Sequence, residues 1–328
     1  MFLSKSSIVN AEGAQGSVLL SVLKLGRDTG MAVEITEEQI RPLLELDEVR
    51  DAVENALRLY SQGNADQPLR TMVSVKEHGG FLGVTPSYAG ALGLKIITFY
   101  PNSSENSRPF TGVIMFNPRD GKLRATLEGS FLSSVRTAAV SASAVNLLAR
   151  RNAPVLAMIG AGALAHTHLP AFKRVRNIQD VRIFSKKGGP EFAKEHCVTL
   201  ATSAQQAIEG ADIVLTATDS QTPVLEGSWL APGAMVCSVG APRPTMRELD
   251  DQTIMRAGRQ IYVDSREAAL KESGDVIKAG HVQAELGELL NGTHPGRQSD
   301  DDIIIFKSMG MAVQDMAAAD LVCRKLGI

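Results

Sequence analysis

The chain is poor in the features that mark cross-linked, nucleic-acid-binding or membrane-spanning proteins. It has three cysteines, Cys197, Cys237 and Cys323, far apart and without Cys-x-x-Cys spacing. An odd, scattered set argues against a disulfide framework and a cysteine zinc site, and favours a reducing compartment, the cytoplasm. Lys and Arg number 34 against 36 Asp and Glu, a formal net charge of −2. A protein whose main partner is a polyanion carries a basic excess or a basic face, so no nucleic-acid role is expected. No apolar run reaches the roughly 18–20 residues of a membrane span, so no membrane role is expected either. The early apolar patch at 18–25 is broken by Ser21 and Lys24 and does not read as a secretory signal. The six histidines show no HExxH arrangement, and His166 and His168, two apart, point to different helix faces. No metal site is expected. There is no repeat of fixed period and no low-complexity tract.

What is present is an ordinary globular composition, 44% hydrophobic and 21% charged over 328 residues. At roughly 150 residues per domain this length favours two domains. Residues 1–30 read as a loosely packed extension. Thr36-Glu37-Glu38-Gln39 fits a capping box opening a helix that Pro42 limits. Val49, Val53, Ala56, Leu57 and Tyr60 mark a second helix ending near Gly63. Short apolar runs at 71–75, 81–84, 94–99 and 112–116, separated by turn-forming residues, predict a mostly antiparallel sheet. The stretches 79–91 and 103–110 read as loops that shape a pocket. An alanine-rich helix is expected at 134–151. From Pro154 the rhythm becomes strand–helix–strand, with strands at 155–159, 181–184, 212–218, 235–239, 260–263 and 303–306. Helices are expected at 163–176, 191–196 and 310–326. Alternation of this kind predicts an α/β chain with a parallel sheet covered on both faces.

The sharpest local motif is Gly160-Ala161-Gly162-Ala163-Leu164-Ala165, directly after a strand and opening a helix. Gly160 allows the tight turn, Gly162 lets backbone approach a pyrophosphate, and Ala165 permits close helix–strand packing. Amides at the helix start then meet the phosphates. At the end of the next strand, where an NAD enzyme places an acidic residue for the ribose, the chain has Phe184-Ser185-Lys186-Lys187. A hydroxyl and two ammonium groups suit a 2′-phosphate, so NADPH is favoured, with NADH possible.

Several longer motifs carry a resemblance. Arg70 follows Gln67-Pro68-Leu69, Lys95 lies in an apolar run before Tyr100-Pro101, and Arg136-Thr137 opens Arg136-Thr-Ala-Ala-Val-Ser141. Downstream come Ser238-Val-Gly-Ala-Pro-Arg243, Tyr262-Val-Asp264 through Glu272-Ser-Gly-Asp275, and Phe306-Lys-Ser-Met-Gly310 through Asp315. Together these resemble the ornithine cyclodeaminase/mu-crystallin family from about Thr36 to Ile328, with the ketimine reductase branch nearest. The resemblance implies a Rossmann doubly wound domain, residues 141–307, inserted in an α+β substrate-binding and dimerisation domain, residues 31–140 plus 308–328. It implies a homodimer acting on amino acids or their cyclic imines with a nicotinamide cofactor. Arg70 matches the arginine for the substrate carboxylate, Lys95 the active-site lysine, and Arg136 and Thr137 a motif between substrate and cofactor. Glu272 resembles part of a loop near the substrate. Thr216, Ala217, Thr218, Val239 and Gly240 are expected to line the cofactor pocket, and Ser308 to lie near the nicotinamide.

These residue types suit imine reduction. A guanidinium grips an α-carboxylate by two parallel hydrogen bonds. A lysine ammonium near the C=N nitrogen acts as general acid, and neighbouring Arg70 and Arg136 depress its pKa. The chain departs from cyclodeaminases at Gly240-Ala241-Pro242-Arg243, where they carry an aspartate. Proline neither accepts nor relays a proton through its side chain, which favours a reductase. Asp219, Asp264 and Asp275 are carboxylates that could stand in, so ornithine cyclodeaminase remains an alternative. So do an alanine or N-alkyl amino-acid dehydrogenase and a non-catalytic NADPH and small-ligand binding protein. Pro109-Phe110-Thr111 also lacks a histidine that many relatives carry after the proline.

Overall fold

The computed structural model describes residues 33–100, 102–103 and 109–328; the expected extension at 1–30 and part of the 103–110 loop lie outside them. Six strands form the first sheet, in the order β1-β6-β5-β4-β3-β2. They are β1 (Val33–Ile35), β2 (Thr71–Val75), β3 (Gly80–Tyr88), β4 (Leu92–Phe99), β5 (Phe110–Phe116) and β6 (Leu123–Glu128). All neighbours pair antiparallel except β1 with β6. The region expected to be a loop at 79–91 is mostly strand, because β3 continues through Pro86. The ladder to β2 stops at Val84, so β3 has a free side at Pro86, the setting in which a strand tolerates proline.

Between β1 and β2 lie α1 (Glu37–Ile40) and α2 (Leu46–Ser61). The Thr36 amide donates to Gln39 Oε1 at 2.9 Å, one half of the expected capping box. Val49, Val53, Ala56 and Leu57 form the buried stripe of α2, the helical period read from the sequence.

Next comes α3 (Ser130–Leu148), whose 19 residues are long and apolar enough to cross a membrane, against the expectation from the sequence. Thirteen of them are buried in the protein. Alanine and serine let neighbouring elements approach closely, and α3 packs against α2 and both sheets. It is a core helix. The expected division between residues 140 and 141 falls inside it.

The second sheet has eight strands, all pairing parallel, in the order β13-β12-β14-β11-β10-β7-β8-β9. In chain order its elements are β7 (Val155–Ile159), α4 (Ala163–Val175), β8 (Asp180–Phe184), α5 (Gly189–His196), β9 (Thr199–Leu200), α6 (Ala204–Ile208), β10 (Ile213–Thr216) and β11 (Met235–Ser238). Then follow α7 (Asp251–Ala257), β12 (Ile261–Val263), α8 (Arg266–Glu272), α9 (Gly274–Ala279), β13 (Ala284–Glu285), α10 (Leu286–Leu290), β14 (Ile304–Lys307) and α11 (Ala312–Leu326). The chain runs outward from β7 to β9, then returns to place β10 on the other side of β7. That reversal opens a crevice beyond the carboxyl ends of β7 and β10, where such sheets bind ligands.

The last helix leaves the parallel sheet and packs on α2, α3 and strands β3–β5. Buried His168 ties α4 to α3, with Nε2 3.0 Å from Ser141 Oγ and Nδ1 2.6 Å from the Leu164 carbonyl. Burial pushes its pKa down to about 4, so the imidazole is a neutral strut at physiological pH.

Candidate active site

The turn after β7 has the form its residues require. Gly160 sits at φ 109°, and a Cβ there would run into the Ala217 carbonyl. Only glycine lets the two loops of the crevice touch in this way. Ala165 is fully buried against the sheet. Gly162 and Ala163 are exposed, and a Cβ on Gly162 would meet nothing within 4 Å. The first-turn amides of a helix have no partners within it, so Gly160 to Ala165 form an open cradle that fits a pyrophosphate. Ser185 Oγ donates to the Lys187 carbonyl at 2.7 Å, folding the turn beyond β8. Lys186 and Lys187 are exposed, and neither ammonium pairs with a carboxylate among the described residues.

Three cations converge at the same end of the parallel sheet. Lys95, on β4, donates to Ser133 Oγ at 2.8 Å and lies 3.4 Å from Asp315 Oδ1. Arg136, on α3, donates through Nε to that same Asp315 oxygen at 2.8 Å and through Nη1 to Gln314 Oε1 at 2.7 Å. Arg70 donates through Nη2 to the carbonyl of Met309, just past β14, at 2.9 Å. Its Nε lies 2.9 Å from Glu272 Oε2, but that oxygen accepts no hydrogen bond. The ion pair therefore leaves a lone pair of Glu272 open beside the arginine. A Cβ on Gly310 would press on the Arg136 guanidinium, so glycine leaves room for it.

Burial, then the Arg136 and Arg70 charges, push the Lys95 pKa down to about 8 from 10.5, against the opposing pull of Asp315. Its side chain is 15% exposed. The depression corresponds to about 3 kcal/mol against the ammonium. Because the folded pKa lies below the unfolded one, the native state bears this cost in full below pH 8. The cost is relieved as the pH rises towards 10.5, where the unfolded lysine also loses its proton. A buried lysine that weakens the fold near neutrality, set beside two arginines and a carboxylate, is a functional-site candidate.

The ornithine cyclodeaminase/mu-crystallin family profile matches residues 31–326. The chain belongs to this family. It is 42% identical over 285 residues to the ketimine reductase mu-crystallin of Macropus fuliginosus, covering 83% of this chain and 90% of the relative. The solved Δ1-pyrroline-2-carboxylate reductase of Thermococcus litoralis, in complex with NADH and L-proline, superposes with TM-score 0.83 at 33% identity, covering 89% of this chain and 97% of that one. An archaeal alanine dehydrogenase dimer with bound NAD gives the same TM-score at 29% identity, covering 90% and 97%.

In this member of the cyclodeaminase/mu-crystallin family, some residues expected to face ligands serve buried carboxylates instead. The Thr216 hydroxyl donates to Glu248 Oε2 at 2.9 Å, and the Thr218 hydroxyl and amide donate to Oε1, both at 2.8 Å. Ser238 Oγ and the Gly240 amide donate to Oε2 at 2.7 and 3.0 Å. Thr216, expected in the cofactor lining, is fully buried with its hydroxyl committed to Glu248, which stitches together the loops after β10 and β11. Ser308, expected near the nicotinamide, has its buried hydroxyl donating to Asp264 Oδ2 at 2.9 Å. Ala217 and Thr218 remain half-buried at the crevice, Val239 and Gly240 are buried behind it, and Thr137 donates its hydroxyl to the Ser133 carbonyl at 2.7 Å.

Asp264 also accepts the Met309 and Gly310 amides, at 2.9 and 2.8 Å, and Asp275 accepts the Leu249 amide at 3.1 Å. Neither carboxylate is free to replace the aspartate missing at Pro242; Asp219, on an exposed loop, is the remaining stand-in. Asp315, Gln314, Ser133, Glu248 and Lys307 were missed in the sequence reading. Asp315 stood in the sequence as the end of the motif that begins at Phe306 and as a lone acid in the apolar start of α11, but nothing there assigned it a role.

Lys307 is fully buried and donates to Ser238 Oγ at 2.9 Å and the Gly240 carbonyl at 2.5 Å. It lies 3.8 Å from Glu248 and 3.5 Å from Asp275. Lys307→Met leaves two buried carboxylates without their ammonium and should destabilise the protein by about 3–5 kcal/mol. Urea denaturation measures this, and an unchanged midpoint would contradict the electrostatic account.

Proposed function

We propose that this chain is an NAD(P)H-dependent reductase of cyclic α-imino acids, taking Δ1-piperideine-2-carboxylate or Δ1-pyrroline-2-carboxylate to pipecolate or proline. The observation that carries this reading is the Lys95–Asp315–Arg136 cluster, with half-exposed Arg70 beside Met309, at the carboxyl end of a sheet that also bears the glycine cradle. The likeness to reductases of the same substrate class supports it.

Each residue has a distinct task. The Gly160–Ala165 turn holds the pyrophosphate, and Ser185, Lys186 and Lys187 surround the adenosine ribose. When bound, the reduced nicotinamide supplies hydride to the C=N carbon. Arg70 is more accessible than Arg136, with 27% of its side chain exposed against 5%, and so suits the substrate carboxylate. Arg136 has its donors committed to Asp315, Gln314 and Ser133, and it anchors Asp315 under Lys95. Asp315 keeps Lys95 protonated at neutral pH, while burial and the two arginines keep the proton loosely held. Lys95 then holds an acidic ammonium where an imine nitrogen needs a proton.

The closed hydrogen-bond sets of Asp264 and Asp275 favour the reductase over the cyclodeaminase reading. We further propose a homodimer in a cytoplasmic, reducing setting. The edge strand β2 exposes Met72 and Val73, at 47% and 52%, and an apolar sheet edge of this kind favours cover. The dimeric alanine dehydrogenase neighbour supports the assembly.

The deciding experiment follows cofactor oxidation with both cyclic ketimines, and with pyruvate plus ammonia as the dehydrogenase arm. Lys95→Met should lower ketimine turnover by about 10²–10⁴-fold while NADPH binding persists, and wild-type reduction should decline above about pH 8 as the ammonium is lost. Undiminished turnover in the variant would refute the assignment of the acid. Replacing Lys186 and Lys187 together by alanine should raise KM for NADPH about tenfold and leave NADH unaffected; equal KM values for the two proteins would reject the 2′-phosphate contact. Light scattering should give the mass of two chains, and a single-chain mass would overturn the dimer.

A further inference from the structure

Two histidines 30 residues apart in the sequence are brought together by the fold. His166 lies in the first turn of α4 and His196 closes α5, preceded by Glu195. His166 Nδ1 and His196 Nε2 are 2.9 Å apart, and Glu195 Oε1 is 3.6 Å from each. A point equidistant from these three atoms and just off their plane lies about 2.0–2.1 Å from each, the zinc–nitrogen and zinc–oxygen bond length.

The imidazoles are also held in advance. Phe192 is buried, and its ring centroid lies 4.8 Å from that of His166 and 4.3 Å from that of His196. One phenyl ring therefore fixes both ligands, which lowers the ordering cost of binding. The side chains are 39%, 22% and 62% exposed for His166, His196 and Glu195, so an ion has access from solvent. Without an ion, the facing nitrogens need a shared proton to avoid two opposed lone pairs.

We propose that His166, Glu195 and His196 bind one borderline divalent transition-metal cation, Zn²⁺ by donor set, with water completing the tetrahedron. The ion takes the place of the proton between the imidazoles and pins the end of α5 to the first turn of α4. This site adjoins the glycine cradle, since His166 follows Ala165 in the first turn of α4, but it shares no residue with the cradle or the lysine cluster. Its existence does not depend on the proposed reduction.

The test titrates the chelator-treated full chain with Zn²⁺ against a chromophoric competitor, and with Co²⁺ for the visible bands of a low-coordinate site. One equivalent should bind. His166→Ala and His196→Ala should each weaken the affinity at least about tenfold and abolish the Co²⁺ bands. Unchanged circular dichroism shows that these surface variants are folded. Cys197 is an exposed thiol in the next position, so Cys197→Ser should retain binding. Absence of a saturable equivalent in the wild-type chain would overturn the site. So would binding that survives both histidine replacements, or binding lost only with Cys197.

Discussion

One buried carboxylate organises the candidate active site of this protein. Asp315 accepts from Arg136 and lies beside Lys95 through the same oxygen, so a strand, a core helix and the last helix meet at a single negative charge. Two cations enclosed without it would repel each other and pay the full cost of leaving water. With it, the lysine stays protonated near neutrality but holds its proton weakly. The balance is set by opposing effects: burial and two guanidinium groups lower the pKa, one carboxylate raises it, and the lowering effects prevail.

A second buried charge system supports the first without sharing its atoms. Glu248 collects five donors from the loops after β10 and β11, and Lys307 compensates it from the end of β14. Asp264 does comparable work at the start of the segment leading into α11, through the Met309 and Gly310 amides. Backbone at the carboxyl end of a parallel sheet has no ladder partner beyond the last strand residue. Buried carboxylates supply acceptors there, and they hold the crevice in shape without occupying it. Met309 is thereby fixed where its carbonyl receives Arg70.

The fold was largely legible because its signals are local. Apolar runs after Pro154 marked six of the eight parallel strands to within one or two residues at their ends, missing the two-residue β9 and β13, and Gly160 and Gly162 marked the crevice. Errors arose where a local sign was overridden by neighbours. Pro86 reads as a strand breaker, yet β3 passes through it where the adjoining strand has ended. The 134–151 helix starts earlier, at Ser130, and spans the expected domain division. Other polar partners were not legible at all: the hydroxyls of Thr216 and Ser308 turn inward to carboxylates far along the chain.

The sequence alone determined the strand–turn–helix cradle and the two kinds of sheet, through periodicity and backbone freedom at glycine. Arg70, Lys95 and Arg136 were singled out as site cations by the resemblance to the family, not by any local pattern. Only the tertiary structure decided which partner each polar group takes. Lys95 and Asp315 are 220 residues apart, Arg136 and Asp315 are 179, and His166 and His196 are 30. A side chain's residue type sets what it can bond to, but its partner is set by whichever group packing brings within about 3 Å, and no local pattern carries that distance.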